Sequence, residues 1–363
     1  MKNKSYRPSP ARKVNIPKAN GKIRSLAIAN FEDKIVQMAV KKILEAIYEP
    51  KFTNNMFGFR PNIGCHDAIK YLNYCIERNK TNYILDADIK GYFDNINHDK
   101  LIKCLELHIK DKNLLRLIKR FLRAGIMENG AYNKGKVGTP QGSILSPILA
   151  NIYMYYILIA WFERIKKVSK GYVEIINYAD DMVICFQYKN EAVQIYKLMK
   201  ERLNKGNLEF AEDKTRLIEF GRFAYSNAER KGKRKPETFD FLGFTHYCSI
   251  NRNGKFRVKR KTSKKKFKQK VQEYKIWIKT NRHKPLKEIM ATTNKKLIGH
   301  YNYYGITDNY KMICKYLYCI LKLLYKNLNR RSQKKSYTRS SFGMMTKAFN
   351  VPMPVIKVNI YAI

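Results

Sequence analysis

Two apolar runs, VEIINY at 173–178 and MVICFQ at 182–187, are separated by only Ala179, Asp180 and Asp181. Runs joined so tightly pair with each other as a β-hairpin. The connection carries two adjacent carboxylates in Tyr178-Ala179-Asp180-Asp181. Tight turns ordinarily use Asn-Gly or Asp-Gly and have no need of a second acid. Adjacent carboxylates repel, and burial raises that cost. Divalent cations resolve the conflict, because hard oxygen ligands suit Mg²⁺. A solvated surface turn is the alternative that this string alone leaves open.

A second acidic strand shifts the balance. Residues 83–89, YILDADI, are short and apolar, and Lys90-Gly91-Tyr92-Phe93-Asp94 follows. A strand-end carboxylate together with a hairpin pair would clamp two metals ~3.5–4 Å apart, suited to in-line phosphoryl transfer. Asp86 shares a strand face with Asp88. Asp88 is preferred because it stands just before the glycine turn, and Asp94 is expected to cap the helix entered near Asn97.

The formal net charge of +44 requires a polyanionic partner to offset self-repulsion. Nucleic acid is therefore expected, and a membrane is not: no segment approaches the ~20 apolar residues of a span. Met1 to Lys13 lacks the apolar centre of a signal peptide. Seven cysteines without a CxxC pair read as reduced thiols in a cytoplasmic protein. No HExxH or paired-Cys pattern supports a zinc enzyme or zinc finger.

Residues 14–30 predict a two-stranded ribbon turning at Asn20-Gly21. Ile35, Met38, Ala39, Leu44 and Ile47 predict the buried face of a helix over 31–48. Further helices are expected at 65–77, 98–108, 111–124, 146–165 and 190–205, and a strand pair near 208–220. Residues 222–236 read as a basic loop, 239–246 as one strand, and Asn253-Gly254 as a hairpin. The segment 262–331 is helical, basic and tyrosine-rich, and the tail from Ser336 reads as extended. Alternating helices and antiparallel hairpins give an α+β class rather than regular βαβ units.

In chain order, these segments resemble the seven sequence blocks of reverse transcriptases, particularly bacterial group II intron reverse transcriptase/maturases. IPKANGKIRSLAI, FGFRPNIGCHDAI and DADIKGYFDNINHDKL are similar to the first three blocks. GTPQGSILSPILANIYM, YADD, LEFAEDKTRLIEFG and FDFLGFTH are similar to the remaining four. The resemblance implies a right-hand polymerase fold: fingers at 1–80, palm at 81–256, a helical thumb at 257–335 and a tail at 336–363. It implies RNA-directed DNA synthesis on an RNA template, from a DNA or RNA primer, with deoxynucleoside triphosphates. The catalytic residues would be Asp88, Asp180 and Asp181, holding two Mg²⁺ (or Mn²⁺) with the Ile89 carbonyl.

The resemblance also assigns the incoming nucleotide to Lys18, Lys22, Arg24, Phe93, Gln141 and Lys214. Phe93 would exclude a 2′-hydroxyl. Nucleic acid is expected at Arg60, Gly243, Lys259, Arg260, Lys264, Lys265, Tyr303 and Tyr304. The protein's own intron RNA is a further expected partner. Alternatives are a splicing cofactor without polymerase chemistry and a domesticated enzyme in phage defence. Family members usually carry several dozen residues before the first block, where this chain has about thirteen, and many carry a C-terminal nuclease pattern not found here. A short front end implies a weaker grip on template and intron RNA.

Overall fold

The computed structural model describes residues 6–17, 23–128, 131–133, 137–140, 142–251, 253–334 and 336–362. The chain divides into two compact units, Met1–Asn227 and Ala228–Ile363.

In the first unit, β1 (Ala11–Pro17) and β2 (Ile23–Ile28) pair antiparallel, with Arg12 opposite Ile28. The expected ribbon is therefore present, while its Asn20-Gly21 turn lies outside the described residues. Asn30 caps α1 (Phe31–Tyr48) by accepting from the Asp33 N–H. The buried face of α1 is Asp33, Gln37, Val40, Leu44 and Tyr48. The predicted face is thus rotated, and Ile35 and Met38 are exposed. Two polar residues turn inward because each holds a loop. Asp33 accepts from Tyr6 Oη and the Ser9 N–H, and Gln37 Oε1 from Ser143 Oγ and the Ile144 N–H.

Next come α2 (Cys65–Glu77), β3 (Tyr83–Asp88), α3 (His98–Glu106) and α4 (Lys112–Arg123), then β4 (Ile126–Glu128) and β5 (Ala131–Asn133). Asn97, not Asp94, caps α3, accepting from the Lys100 N–H. The short strands extend the ribbon into a sheet of order β2-β1-β4-β5.

Then follow α5 (Ser146–Met154), a π turn at Tyr155–Ile159, and α6 (Ala160–Val168). Contrary to expectation, the continuous helix Ser146–Val168 is by length and hydropathy apolar enough to cross a membrane. Its buried apolar side chains from Ile148 to Phe162 belong to the main core, which marks it as a core helix.

The hairpin of β6 (Val173–Tyr178) and β7 (Asp181–Phe186) is followed by α7 (Lys189–Lys205), β8 (Arg216–Glu219) and α8 (Ala224–Arg230). Only one of the two strands expected near 208–220 forms, with Phe210 left as an isolated bridge to Ile89. The expected basic loop at 222–236 contains α8. The central sheet has the order β6-β7-β3-β8, antiparallel throughout. Residues 173–177 and 182–186 are buried without alternation, as strands covered on both faces must be.

The second unit begins with β9 (Phe239–Phe241), β10 (Phe244–Ile250) and β11 (Phe256–Thr262), in order β11-β10-β9. The single strand expected at 239–246 is broken because Leu242 and Gly243 adopt φ of 48° and 80°, a tight reversal. The helices α9 (Lys264–Asn281), α10 (Leu286–Tyr304) and α11 (Tyr310–Leu328) follow, then α12 (Arg339–Ala348) in a tail expected to be wholly extended. The unit boundary at Asn227 and Ala228 precedes the palm–thumb boundary expected at 256–257, because the three-stranded sheet packs with these helices. Phe244, for example, stacks on Tyr303 and meets Tyr304.

Candidate active site

The register places the acids. Residue by residue, β3 and β7 pair Tyr83 with Phe186 down to Asp88 with Asp181. Asp180 occupies the two-residue connection, and its carbonyl accepts from the Ile89 N–H at 3.3 Å. Asp88 is thus brought to the same end of the central sheet as Asp180 and Asp181, which lie 92 and 93 positions further along the chain. Period-two alternation puts Asp86 on the same face. Its carboxylate, however, pairs with Arg216 at 3.2 Å across β3 and β8.

The electrostatics record this convergence. Burial by the surrounding protein, then the charges of Asp180, Asp88 and Asp86, push Asp181 up to about 7, while Lys214 pulls the other way. The Asp181 side chain keeps an exposed face, so solvent screening moderates the effect. Lys214 donates to Asp88 Oδ2, and that bond, together with the Asp88 charge, lifts the Lys214 ammonium above its usual value despite opposing burial. An ammonium has settled where the acids call for a cation.

The donors suit a hard divalent ion: three carboxylates and the Ile89 carbonyl, which no described backbone donor meets. Among the described residues no three Asp, Glu, His or Cys side chains already enclose a metal-sized point, and Asp88 is held by Lys214 instead.

What fixes the hairpin was not anticipated in the sequence. Ala179 takes φ 59°, a left-handed conformation costing a residue with a Cβ roughly 1–2 kcal/mol. Asn177 Nδ2 donates to the Ala179 carbonyl at 2.9 Å. The Asn177 N–H donates to the Asn55 carbonyl at 2.8 Å, and the Phe57 N–H to the Asn177 carbonyl at 2.9 Å. Gly58 then lies against the turn so closely that a Cβ there would be 2.5 Å from the Ala179 nitrogen. The Gly58 carbonyl accepts from Asn151 Nδ2 of α5 at 2.7 Å. Asn55, Gly58, Asn151 and Asn177 are therefore positioning residues for the acids. The only hint in the sequence was glycine within Phe57-Gly58-Phe59.

Other predicted residues divide sharply. Phe93 is half-buried, edge-on to Phe59 at 6.0 Å, and its carbonyl accepts from the Thr139 N–H at 2.8 Å. That bond ties the turn ending at Pro140 to the start of the strand-to-helix passage. Gln141, Lys18 and Lys22 lie outside the described residues, and of Arg24 only the strand backbone is described.

Arg60, expected on nucleic acid, is internal. It donates to Glu49 Oε2 and to the Thr53 and Met56 carbonyls, each at 2.9 Å, and lies over Phe52.

In the second unit, Arg260 is fully buried, donates to the Val258 carbonyl at 2.6 Å and lies over the Tyr361 ring. It is not a phosphate contact. Tyr304 is buried against Phe244 and His300, and Tyr303 stacks on Phe244 and donates to the Leu242 carbonyl. Neither ring is presented for base stacking. Tyr304 Oη would stand 3.2 Å from a Cβ at Gly243. Lys259 is half-buried, and Lys264 and Lys265 are exposed in the first turn of α9.

Comparison with known proteins agrees with this arrangement. A family model described as reverse transcriptase (RNA-dependent DNA polymerase) matches residues 16–246. The chain is 40% identical over 226 residues to the group II intron-encoded protein LtrA of Lactococcus lactis subsp. cremoris, covering 60% of this chain and 36% of that protein. It is 37% identical over 153 residues to protein YkfC of Escherichia coli strain K12, covering 41% and 40%. Nuclear intron maturase 3, mitochondrial, of Arabidopsis thaliana is 32% identical over 131 residues, 36% of this chain and 18% of that one. The matches thus span well under half the length of these relatives. Telomerase from Candida albicans, solved with a fragment of telomeric RNA, aligns with a TM-score of 0.53 at 14% identity, covering 93% of this chain and 61% of that chain. At such low identity the likeness is one of fold.

Proposed function

The chain belongs to the reverse transcriptase family, and we propose on that premise that it is an RNA-directed DNA polymerase of the group II intron type. It would extend a DNA or RNA primer with deoxynucleotides on an RNA template. The observation that carries this reading is the meeting of Asp88, Asp180 and Asp181 across the β3–β7 register. Metal dependence on divalent ions is general in the family, and Mg²⁺ is the ion we assign here. Asp88, Asp180 and Asp181 would hold two such ions, with the Ile89 carbonyl as a further ligand. Bound there, the ions would supply Lewis acidity at the primer 3′-hydroxyl and at the triphosphate.

The protein's own part is positioning and charge. The hairpin buttress keeps Asp180 and Asp181 at the end of β3. Lys214 offsets the charge of Asp88, and its exposed ammonium would be free for phosphate with a cation on the acids. Lys18, Lys22 and Arg24 on the N-terminal ribbon, and Gln141 after the Thr139-Pro140 turn, are assigned to the incoming nucleotide. Phe93, exposed on one side, is assigned to exclude the 2′-hydroxyl. Intron RNA as a further partner is supported by the names of the relatives.

Purified protein should extend oligo(dT) on poly(rA) with dTTP and Mg²⁺. Asp180→Asn should abolish extension while RNA affinity stays within about twofold, since one charge among so many contributes little. Extension surviving in Asp180→Asn would overturn the reading. Phe93→Ala should admit ribonucleotides.

A further inference from the structure

One helix carries more positive charge than its fold tolerates cheaply. The inner face of α4 is Leu115, Ile118, Phe121 and Leu122. Its outer face holds Arg116, Lys119, Arg120 and Arg123, spaced three or four apart with no acid among them. Like charges at that spacing each cost a helix roughly 0.2–0.5 kcal/mol. Arg7 joins them from the N-terminal segment, and the group lines a surface cavity of about 470 Å³ with Tyr132 at its edge. No acidic residue lines that cavity among the described residues. Burial and the adjacent Arg7 and Arg116 draw the Arg120 guanidinium below its usual value.

The choice of cation is informative. Arginine makes up only 21 of the 73 basic residues in the chain, yet four of the five cations here are arginine. A uniformly basic surface has no use for that bias. Planar forks that bind phosphate oxygens in pairs do. Arg120 is held in place, with Nη1 donating to the Tyr6 carbonyl at 2.7 Å. Tyr132, 52% exposed on β5, offers a ring face beside the cations, and basic grooves edged by aromatics suit single strands.

We propose that this cavity is a second RNA-binding site, in which Arg7, Arg116, Arg120 and Arg123 grip consecutive phosphates of a single-stranded segment whose base stacks on Tyr132. It shares no residue with the acidic site. The proposal rests on RNA being the partner of this chain.

The test is binding of a labelled single-stranded RNA of about 20 nucleotides to the full chain by fluorescence anisotropy across a KCl series. Single-strand contacts give a salt slope of about 0.7 per phosphate, so Arg116→Gln/Arg120→Gln/Arg123→Gln should flatten the slope by about 2 and weaken binding about 50-fold at 0.15 M salt. The charge-matched control, Lys167→Gln/Lys189→Gln/Lys197→Gln on exposed positions elsewhere, should change neither by more than a third of that. Arg116→Lys/Arg120→Lys/Arg123→Lys keeps every charge and should still weaken binding at least about fivefold through loss of the forks. Tyr132→Ala should cost at least about fivefold.

Equal effects of the arginine and control triples would overturn the proposal, leaving the stripe to an acidic protein or to no partner. So would an Arg→Lys triple that binds like the unmodified chain. Primer extension at saturating template should stay within twofold in all variants. If the unmodified chain binds RNA this way yet extends no primer, the polymerase reading fails while this site stands.

Discussion

The acidic hairpin and the helical C-terminal unit were both singled out by unusual side chains, and the structure treats them oppositely. At the hairpin the register brings the predicted acids to one end of the central sheet. In the C-terminal unit, Arg260, Tyr303 and Tyr304 are absorbed into packing. The difference is one of alternatives. A carboxylate on an apolar strand has no inexpensive structural use, because burying it uncompensated is costly. A tyrosine or arginine has several: rings stack, hydroxyls find carbonyls, and aliphatic stems cover apolar surface. An odd residue in a costly place is therefore stronger evidence of function than one in a forgiving place.

The contrast can be sharpened by mutation. The largest effect is expected for Asp88→Asn, a loss of primer extension of about 10³-fold or more with an unchanged melting temperature. A comparable fall in stability would instead make Asp88 a structural acid. Gly58→Ala should follow, since a Cβ there overlaps the Ala179 nitrogen. Displacing the turn should cut turnover on the order of 10²-fold, with about 1–3 kcal/mol of lost stability in urea unfolding. Normal turnover in Gly58→Ala would show that the buttress does not position the acids. In the other region the pattern should invert. Tyr304→Ala should lower stability by about 3 kcal/mol while the RNA affinity of the folded fraction stays within twofold. An RNA-binding defect without destabilisation would return Tyr304 to the interface.

The smallest effect is a pH dependence confined to the C-terminal unit. Burial, with a minor contribution from Lys270, holds His300 down at about 3, and burial beside Arg260 holds His246 well below its usual value. In the unfolded chain a histidine takes its proton near 6.5. The unit is thus fully stabilised above about pH 6.5 and loses stability as pH falls from there toward 3, because only the unfolded state binds the extra protons. His300→Phe keeps a ring on Tyr316 and Tyr304 and cannot charge. Thermal melts between pH 6.5 and 4 should fall less steeply in that variant; an identical slope would contradict the assignment.

Much of the architecture was legible because it was written in period and punctuation. The helices at 31–48 and 65–77 and the hairpin at 173–187 are bounded by caps and turns that the sequence displays. The inward face of α1 was misread because Asp33 and Gln37 are buried to hold loops from distant parts of the chain, which periodicity alone does not register. Leu242 at φ 48° broke a strand that propensity favoured. In the site, the acids were visible one by one. The buttress of Asn55, Gly58, Asn151 and Asn177 was not, since each is an ordinary residue until register brings its backbone partner alongside. Lys214 was expected near phosphate and is found on Asp88, a pairing that depends on where β8 joins the sheet.

The claim on which the account depends is that Asp88, far along the chain from the hairpin, shares one cation site with Asp180 and Asp181. Electron paramagnetic resonance of Mn²⁺ titrated into the full chain tests it without requiring catalysis. The account predicts a tight Mn²⁺ population in the unmodified protein that Asp88→Asn and Asp180→Asn each remove, while Asp94→Asn leaves it intact. Tight Mn²⁺ binding that persists in Asp88→Asn would contradict it.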